Sequence, residues 1–295
     1  MTARFYQSTD ASAPTLYGSV AAGNNLVNLL DKILVAGYGS QVAAGWTKPF
    51  IAANQACFKQ AGAGGLYLAV DDTTTITARV RGFETMTTAT AGTGPFPTDA
   101  QLSGGGYMHR STTADTTARP WVCIADNTFF CLVVNCDGTS AACSVLMFGD
   151  ILSYRAGDAY HKVLVCAPNT GATSYVAADA AAISTALAGH YMARSYTQIG
   201  SSITVGQHTD TAKAGLAYPH PVDGGLYLGP LWIHENALSV VRGVLKGVWV
   251  PLHTGNRPLA HGDTFSGTGA LAGKTFISQH VTTTKSLLLE ISDTW

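Results

Sequence analysis

Charged side chains are scarce in this sequence. They make up 12% of its 295 residues, about half the roughly 25% share of an ordinary soluble domain. Much of the exterior must then be Thr, Ser, Asn, Gly and Ala, which guard less well against association than a charge-studded surface does. An obligate assembly component fits that composition better than a freely diffusing monomer; a secreted Thr- and Ser-rich β protein is the competing reading. A basic excess is missing as well. With a net charge of -1 and a pI near 6.7, little is left to neutralise phosphates, which argues against sequence-independent nucleic-acid binding.

Long apolar runs are absent too. Nothing approaches the roughly 20 residues that a membrane helix requires, and the stretch Asn25 to Val35 is short and carries Asp31 and Lys32. The opening residues, MTARFYQSTDASAPTLYG, contain no apolar segment followed by a small-residue cleavage site. No secretory leader is therefore expected, and the chain reads as made and folded in the cytoplasm without membrane insertion. Paired Cys-x-x-Cys spacing is also lacking. The six cysteines (Cys57, Cys123, Cys131, Cys136, Cys143 and Cys166) are expected as small core hydrophobes. Oxidation of a pair after release from a reducing cell is the alternative.

What the chain does have is turn-punctuated apolar pattern. Residues 1 to 23, rich in Ser, Thr, Ala and Gly and interrupted by Pro14, read as an N-terminal arm. From Asn24 the residues Leu26, Leu29, Leu30, Ile33 and Leu34 recur at helical spacing, with Asn24 or Asn25 as cap and Gly37 as terminator. Strands are expected at Cys57 to Lys59, Gly65 to Val70, Ile76 to Phe83, Pro120 to Ala125, Phe129 to Asn135, Ser144 to Phe148 and His161 to Ala167. They are separated by turn sequences such as Asp71-Asp72, Asp126-Asn127 and Cys136-Asp137-Gly138, as in antiparallel hairpins. Asp179 to His190 is a second helix candidate, and further short strands follow around Ile203, Leu226 and Trp232. The expected fold is mainly β, an antiparallel sandwich or barrel-like architecture. One β-rich domain would span residues 24 to 295, with a lobe boundary near residues 168 to 180.

Chemical motifs come close and fail. Gly273-Lys274-Thr275 looks like the end of a phosphate-binding loop, but that motif needs Gly where Thr268 stands and a helix where β-branched residues follow. Cys131, Cys136 and Cys143 lack zinc-ligand spacing, although with Cys123 they could meet across a hairpin. The nine histidines are scattered, and His220, His253 and His261 lie among Pro and Gly, as in surface loops. Asp71, Asp72, Asp150 and Asp158 could supply the two carboxylates of a polymer hydrolase, yet each sits in a turn context where Asp bends or caps backbone. No Gly-x-Ser-x-Gly elbow is present. The expectation is a non-enzymatic protein with no metal, cofactor or small-molecule substrate.

The segments GYGSQVAAGWTKPF, YLAVDD, ARVRGFETM, GTGPFPT, RPWVCIAD and FGDILSYRAGDAY, together with VVRGVLKGVWVPLH, LAGKTF and LEISDTW, resemble a group of tailed-phage and prophage structural proteins. The likeness spans most of the chain and is weakest over residues 170 to 235. It implies a virion part encoded with head-to-tail and tail genes, and it brings no catalytic residues. A neck, collar or tail subunit in a symmetric oligomer is the leading expectation. Its partners would be copies of itself and other virion proteins. A capsid decoration protein, a receptor- or glycan-binding baseplate part and an envelope-polymer hydrolase are the alternatives. Tyr38, Trp46, Phe96 and Tyr107, aromatic residues in Gly-rich loops, are the interface candidates; sealing of the core is the competing role for Trp46 and Phe96.

Overall fold

The computed structural model of the protein describes residues 2–20, 23–62, 64–139, 142–167, 189–200, 202–208, 216–235, 240–253, 259–281 and 286–292. The fold is mainly β, with 44% strand and 6% helix in antiparallel, sandwich-like sheets; among the described residues no sheet closes into a barrel.

A seven-stranded sheet forms the centre. Its order is Arg4–Gln7, Trp121–Ala125, Phe129–Asn135, Cys143–Asp150, Lys162–Ala167, His190–Met192 and Ile203–Thr204. Every residue of Phe129–Asn135 is buried, which explains its unbroken apolar run: a strand covered on both faces has no solvent side on which to alternate. Side chains still divide by parity. Phe130, Leu132 and Val134 enter one core with Leu146, Phe148 and Leu164, while Phe129, Cys131 and Val133 enter the other with Val145, Met147 and Val163.

On the first face lie the helix and a five-stranded N-terminal sheet, ordered Thr47–Ala52, Gln55–Lys59, Tyr67–Asp71, Thr77–Phe83 and Gly106–His109. Leu26, Leu29, Leu30, Ile33 and Leu34 pack there with Phe58, Leu68, Val70 and Val80. The helix runs α-helically over Leu26–Asp31 and continues as a π-helix over Lys32–Ala36. Asn25 Oδ1 accepts the Asn28 amide at 2.9 Å, as a cap should. Gly37 ends the helix at φ 78°, ψ 172°, a conformation that essentially only glycine adopts. On the second face a C-terminal sheet runs Gly206–His208, Leu228–Glu235, Val240–Pro251, Ser286–Glu290, Thr275–His280 and Thr264–Ser266. It contributes Leu231, Ile233, Leu245, Val248, Ile277 and Leu289 to the second core.

Two expectations change. Residues 4 to 18 are not a projecting arm: Arg4–Gln7 pairs with Trp121–Ala125, Tyr6 and Leu16 are fully buried, and the Trp121 indole N–H donates to Pro14 O at 3.1 Å. Small polar residues hid one strand whose apolar members are Phe5 and Tyr6. The strand expected around Leu226 begins instead at Leu228. The second helix candidate falls at 179–188 outside the described residues, and its last residue, His190, opens a strand. The region 168 to 180 also lies outside them.

Candidate functional site

A concavity of about 700 Å³ opens where the central and C-terminal sheets are tied together. Between Cys143–Asp150 and Lys162–Ala167 the chain leaves the central sheet, and Leu152–Ser153 pairs antiparallel with Gly243 and Val244. Glycine is required at 243 because a Cβ there would sit 2.2 Å from Leu152 O.

A buried arginine holds this excursion. Arg242 grips Asp158 bidentately, Nε to Oδ2 at 2.6 Å and Nη2 to Oδ1 at 2.7 Å, and Nη1 also donates to Glu235. Ser153 Oγ and Gln198 Nε2 each donate to Asp158 at 2.8 Å. Burial pushes the Asp158 carboxyl upward, but the hydrogen bonds from Arg242, Gln198 and Ser153 outweigh it and hold the group well below the usual carboxylate range. Burial likewise acts to raise Asp150, and there the His161 and Gln60 hydrogen bonds and the Lys162 charge prevail, leaving it lowered. His161 Nε2 lies 3.2 Å from Asp150 Oδ2. Lys246, on the cleft wall, donates to Thr128 Oγ1 at 2.6 Å.

Polymer hydrolysis by paired carboxylates needs one of them kept protonated by a raised pKa. Both cleft carboxylates are driven the other way and are saturated with donors, so this geometry suits a fixed scaffold rather than proton transfer. The other two candidate acids lie outside this cleft. Asp71 accepts from the Thr73 amide and hydroxyl in a turn. Asp72 is more than a turn residue: it is fully buried, 2.8 Å from Arg110 Nε, and accepts the Leu26 amide at the helix start.

What the cleft region does offer is apolar rim. Leu152 and Tyr154, alternate residues on the excursion, are 52% and 63% exposed, and Val241, on the strand against which they lie, is 47% exposed. Tyr154 N bonds Arg242 O at 2.9 Å, which fixes the rim to the sheet. The four aromatic candidates do not gather at any such surface. Tyr38, Trp46 and Phe96 are buried in the first core, where Trp46 packs on Phe130 and Phe148 and Phe96 stacks on Phe148 at 6.0 Å. They seal the core and present no contact face. Tyr107 is half-buried on the outer face of the N-terminal sheet, under the Arg79 guanidinium. Leu152 and Tyr154 were missed because they lie in a short loop-like segment; Arg242 and Lys246, charges inside an aliphatic run, were the available signal.

The remaining motifs resolve structurally. Thr268 to Lys274 contains a single 3-10 turn, Thr275 starts a strand, and Lys274 pairs with Glu290. All six cysteines are buried. Cys123 faces the first core and Cys131 the second, so the hairpin separates them. Among the described residues no group of three or more His, Cys, Asp or Glu side chains could hold a metal ion. His253 is not a surface loop residue: it is fully buried and accepts the Tyr227 amide at 2.7 Å. No protein-family model matches the chain, and no curated protein matches it.

Proposed function

We propose that the protein is a non-enzymatic structural subunit of a tailed-phage virion, made in the host cytoplasm and assembled as a symmetric oligomer in the neck, collar or tail. The observation that carries this reading is the apolar rim of Leu152, Tyr154 and Val241, held on a rigid tie between two sheets. On a chain so poor in charge, water solvates that strip badly, and contact with another subunit would remove it from water. The resemblance in the turn and core segments supplies the virion context. Its partners would be copies of itself and other virion proteins, with neither nucleic-acid binding nor membrane insertion required.

Light scattering on the eluting peak of size-exclusion chromatography tests the reading. The intact chain should form a discrete oligomer, and a Leu152→Lys/Tyr154→Lys variant should shift toward monomer with an unchanged circular dichroism spectrum. Image reconstruction of the particle should then find the chain at a symmetric position with this rim in contact. A chain that stays monomeric and has no density in the virion would overturn the proposal.

A further inference from the structure

The outer face of the N-terminal sheet, away from the helix, carries a second concavity of about 310 Å³. We propose that this cup binds an acidic sugar residue of the hexuronate class, its carboxylate on Arg79 and its hydroxyls toward Asp71. This is a binding activity beyond the structural role, and it does not depend on assembly.

The cup has a floor and two walls. Ala69, Arg79, Arg81 and Phe83 form the floor, alternate residues on neighbouring strands and therefore on one face. Thr90, from the hairpin joining Thr85–Met86 to Gly92–Thr93, and Gly104, from the loop before Gly106–His109, form the walls. The volume lies at the lower end of the roughly 300–1,000 Å³ of small-molecule sites, enough for one sugar ring.

Arg79 is set in advance. Its Nη1 donates to Ser103 O at 2.6 Å and Gly105 O at 3.1 Å, and the guanidinium lies over the Tyr107 ring at 4.0 Å. Nε and Nη2 donate to no acceptor among the described residues, which leaves one flank of a planar donor fork for an oxyanion. Asp71 stands opposite Arg79 across the strand pair. No ion pair joins them, because the guanidinium is turned to Tyr107. Asp71 uses Oδ1 for Thr73, so its second oxygen can accept sugar hydroxyls. A bare phosphate would meet the same carboxylate as repulsion and gain nothing from it. Beside the two charges, further along the same face of the strand pair, Ala69 and the Phe83 ring, itself under Arg81 at 5.6 Å, give an apolar patch for the C–H face of a sugar. Arg81, also in the floor, is anchored through Nε to Pro97 O at 2.7 Å and Nη1 to Asp99 Oδ1 at 3.0 Å, while its Nη2 is buried without a hydrogen-bond partner among the described residues; it adds positive potential.

The test is titration of the isolated, isotope-labelled chain with D-glucuronate, D-glucose and inorganic phosphate, followed by amide NMR shifts. Glucuronate should move the amides of Ala69, Val80, Thr90 and Gly104 saturably. Glucose and phosphate should each bind at least about tenfold more weakly, and Arg79→Gln should reduce glucuronate to the level of glucose. Asp71→Asn should weaken both sugars. If Arg79→Gln fails to fold, the location of the shifts and the ligand ranking in the unaltered chain still decide. Equal binding of glucose, tighter binding of phosphate, shifts confined to another surface or no saturable shift would each overturn the proposal. Because the measurement uses isolated chains, a negative result here leaves the assembly reading untouched, and the reverse.

Discussion

At the scale of single residues, the strongest constraints are buried charges that cannot lose a partner. Arg242 and Asp158 are both almost fully buried, with Glu235 beside them. Arg242→Ala would strand two carboxylates out of water and should lower unfolding stability by about 3–5 kcal/mol, read from the urea midpoint. The pH dependence follows from the same carboxyl. Because the folded state holds Asp158 below its unfolded value near 4, its contribution is present above about pH 4 and is lost as pH falls below it. Asp158→Asn, weaker at neutral pH, should therefore show a flatter loss of stability between about pH 5 and about pH 3 than the parent chain. Asp72 acts oppositely: burial raises it to about 6, so the folded state binds the extra proton and stability from this group falls as pH rises from about 4 to about 6. The cysteines obey the same logic. Burial pushes the thiols of Cys57 and Cys166 up to about 12 and those of Cys123, Cys131 and Cys136 well above the ordinary range. Mass spectrometry after maleimide treatment of the native protein should find all six unlabelled, with labelling appearing only in denaturant.

At the scale of elements, the helix shows how local signals translate. Asn25 and Gly37 mark its ends in the sequence and do so in the fold. Asn25→Ala should cost about 1 kcal/mol in chemical denaturation. Gly37→Ala should cost more, about 1–3 kcal/mol, since its Cβ would meet Gln41 O at 2.6 Å in a backbone conformation closed to alanine. Strands were legible for a comparable reason: Phe129–Asn135 has no polar interruption, and Asp126 and Asp137 supply the bends on either side, with Asp126 Oδ1 accepting the Thr128 and Phe129 amides. Arg4–Gln7 was illegible because its two apolar residues, Phe5 and Tyr6, are adjacent rather than alternating, and four residues followed by Ser, Thr and Pro carry too little periodicity to outweigh their composition. The site was harder still. Leu152 and Tyr154 alternate as strand residues do, but over a segment whose partner, Gly243–Val244, lies far along the chain. Exposure is a property of that pairing, and no local pattern encodes it. For the aromatic candidates the Gly-rich setting left an exposed interface and core sealing both open, and Trp46 and Phe96 turn inward from those loops onto Phe148.

At the scale of the whole molecule, one sheet shared between two cores makes distant segments interdependent. The N-terminal residues show it best. Gly18 O accepts the Ile76 amide at 2.7 Å, and Tyr17 O and Ser19 O take both donors of Arg110 Nη1, the arginine that neutralises Asp72 beneath the helix. Deleting residues 1–18 would expose the edge of Trp121–Ala125, empty the places of Tyr6 and Leu16, and remove an acceptor from a fully buried guanidinium. The two apolar side chains alone are worth about 1.5–3 kcal/mol each, against a total stability of about 5–15 kcal/mol for a typical folded chain. The truncated protein should therefore be insoluble, or else compact with poor amide dispersion in NMR and a broad, weakly cooperative thermal transition. An arm that reached a neighbouring subunit would behave differently: its removal would leave a sharp transition in the isolated chain and abolish oligomers only. A truncated chain that melts as cooperatively as the parent would show that the strand Arg4–Gln7 is dispensable to the central sheet and would return these residues to the role of an assembly arm.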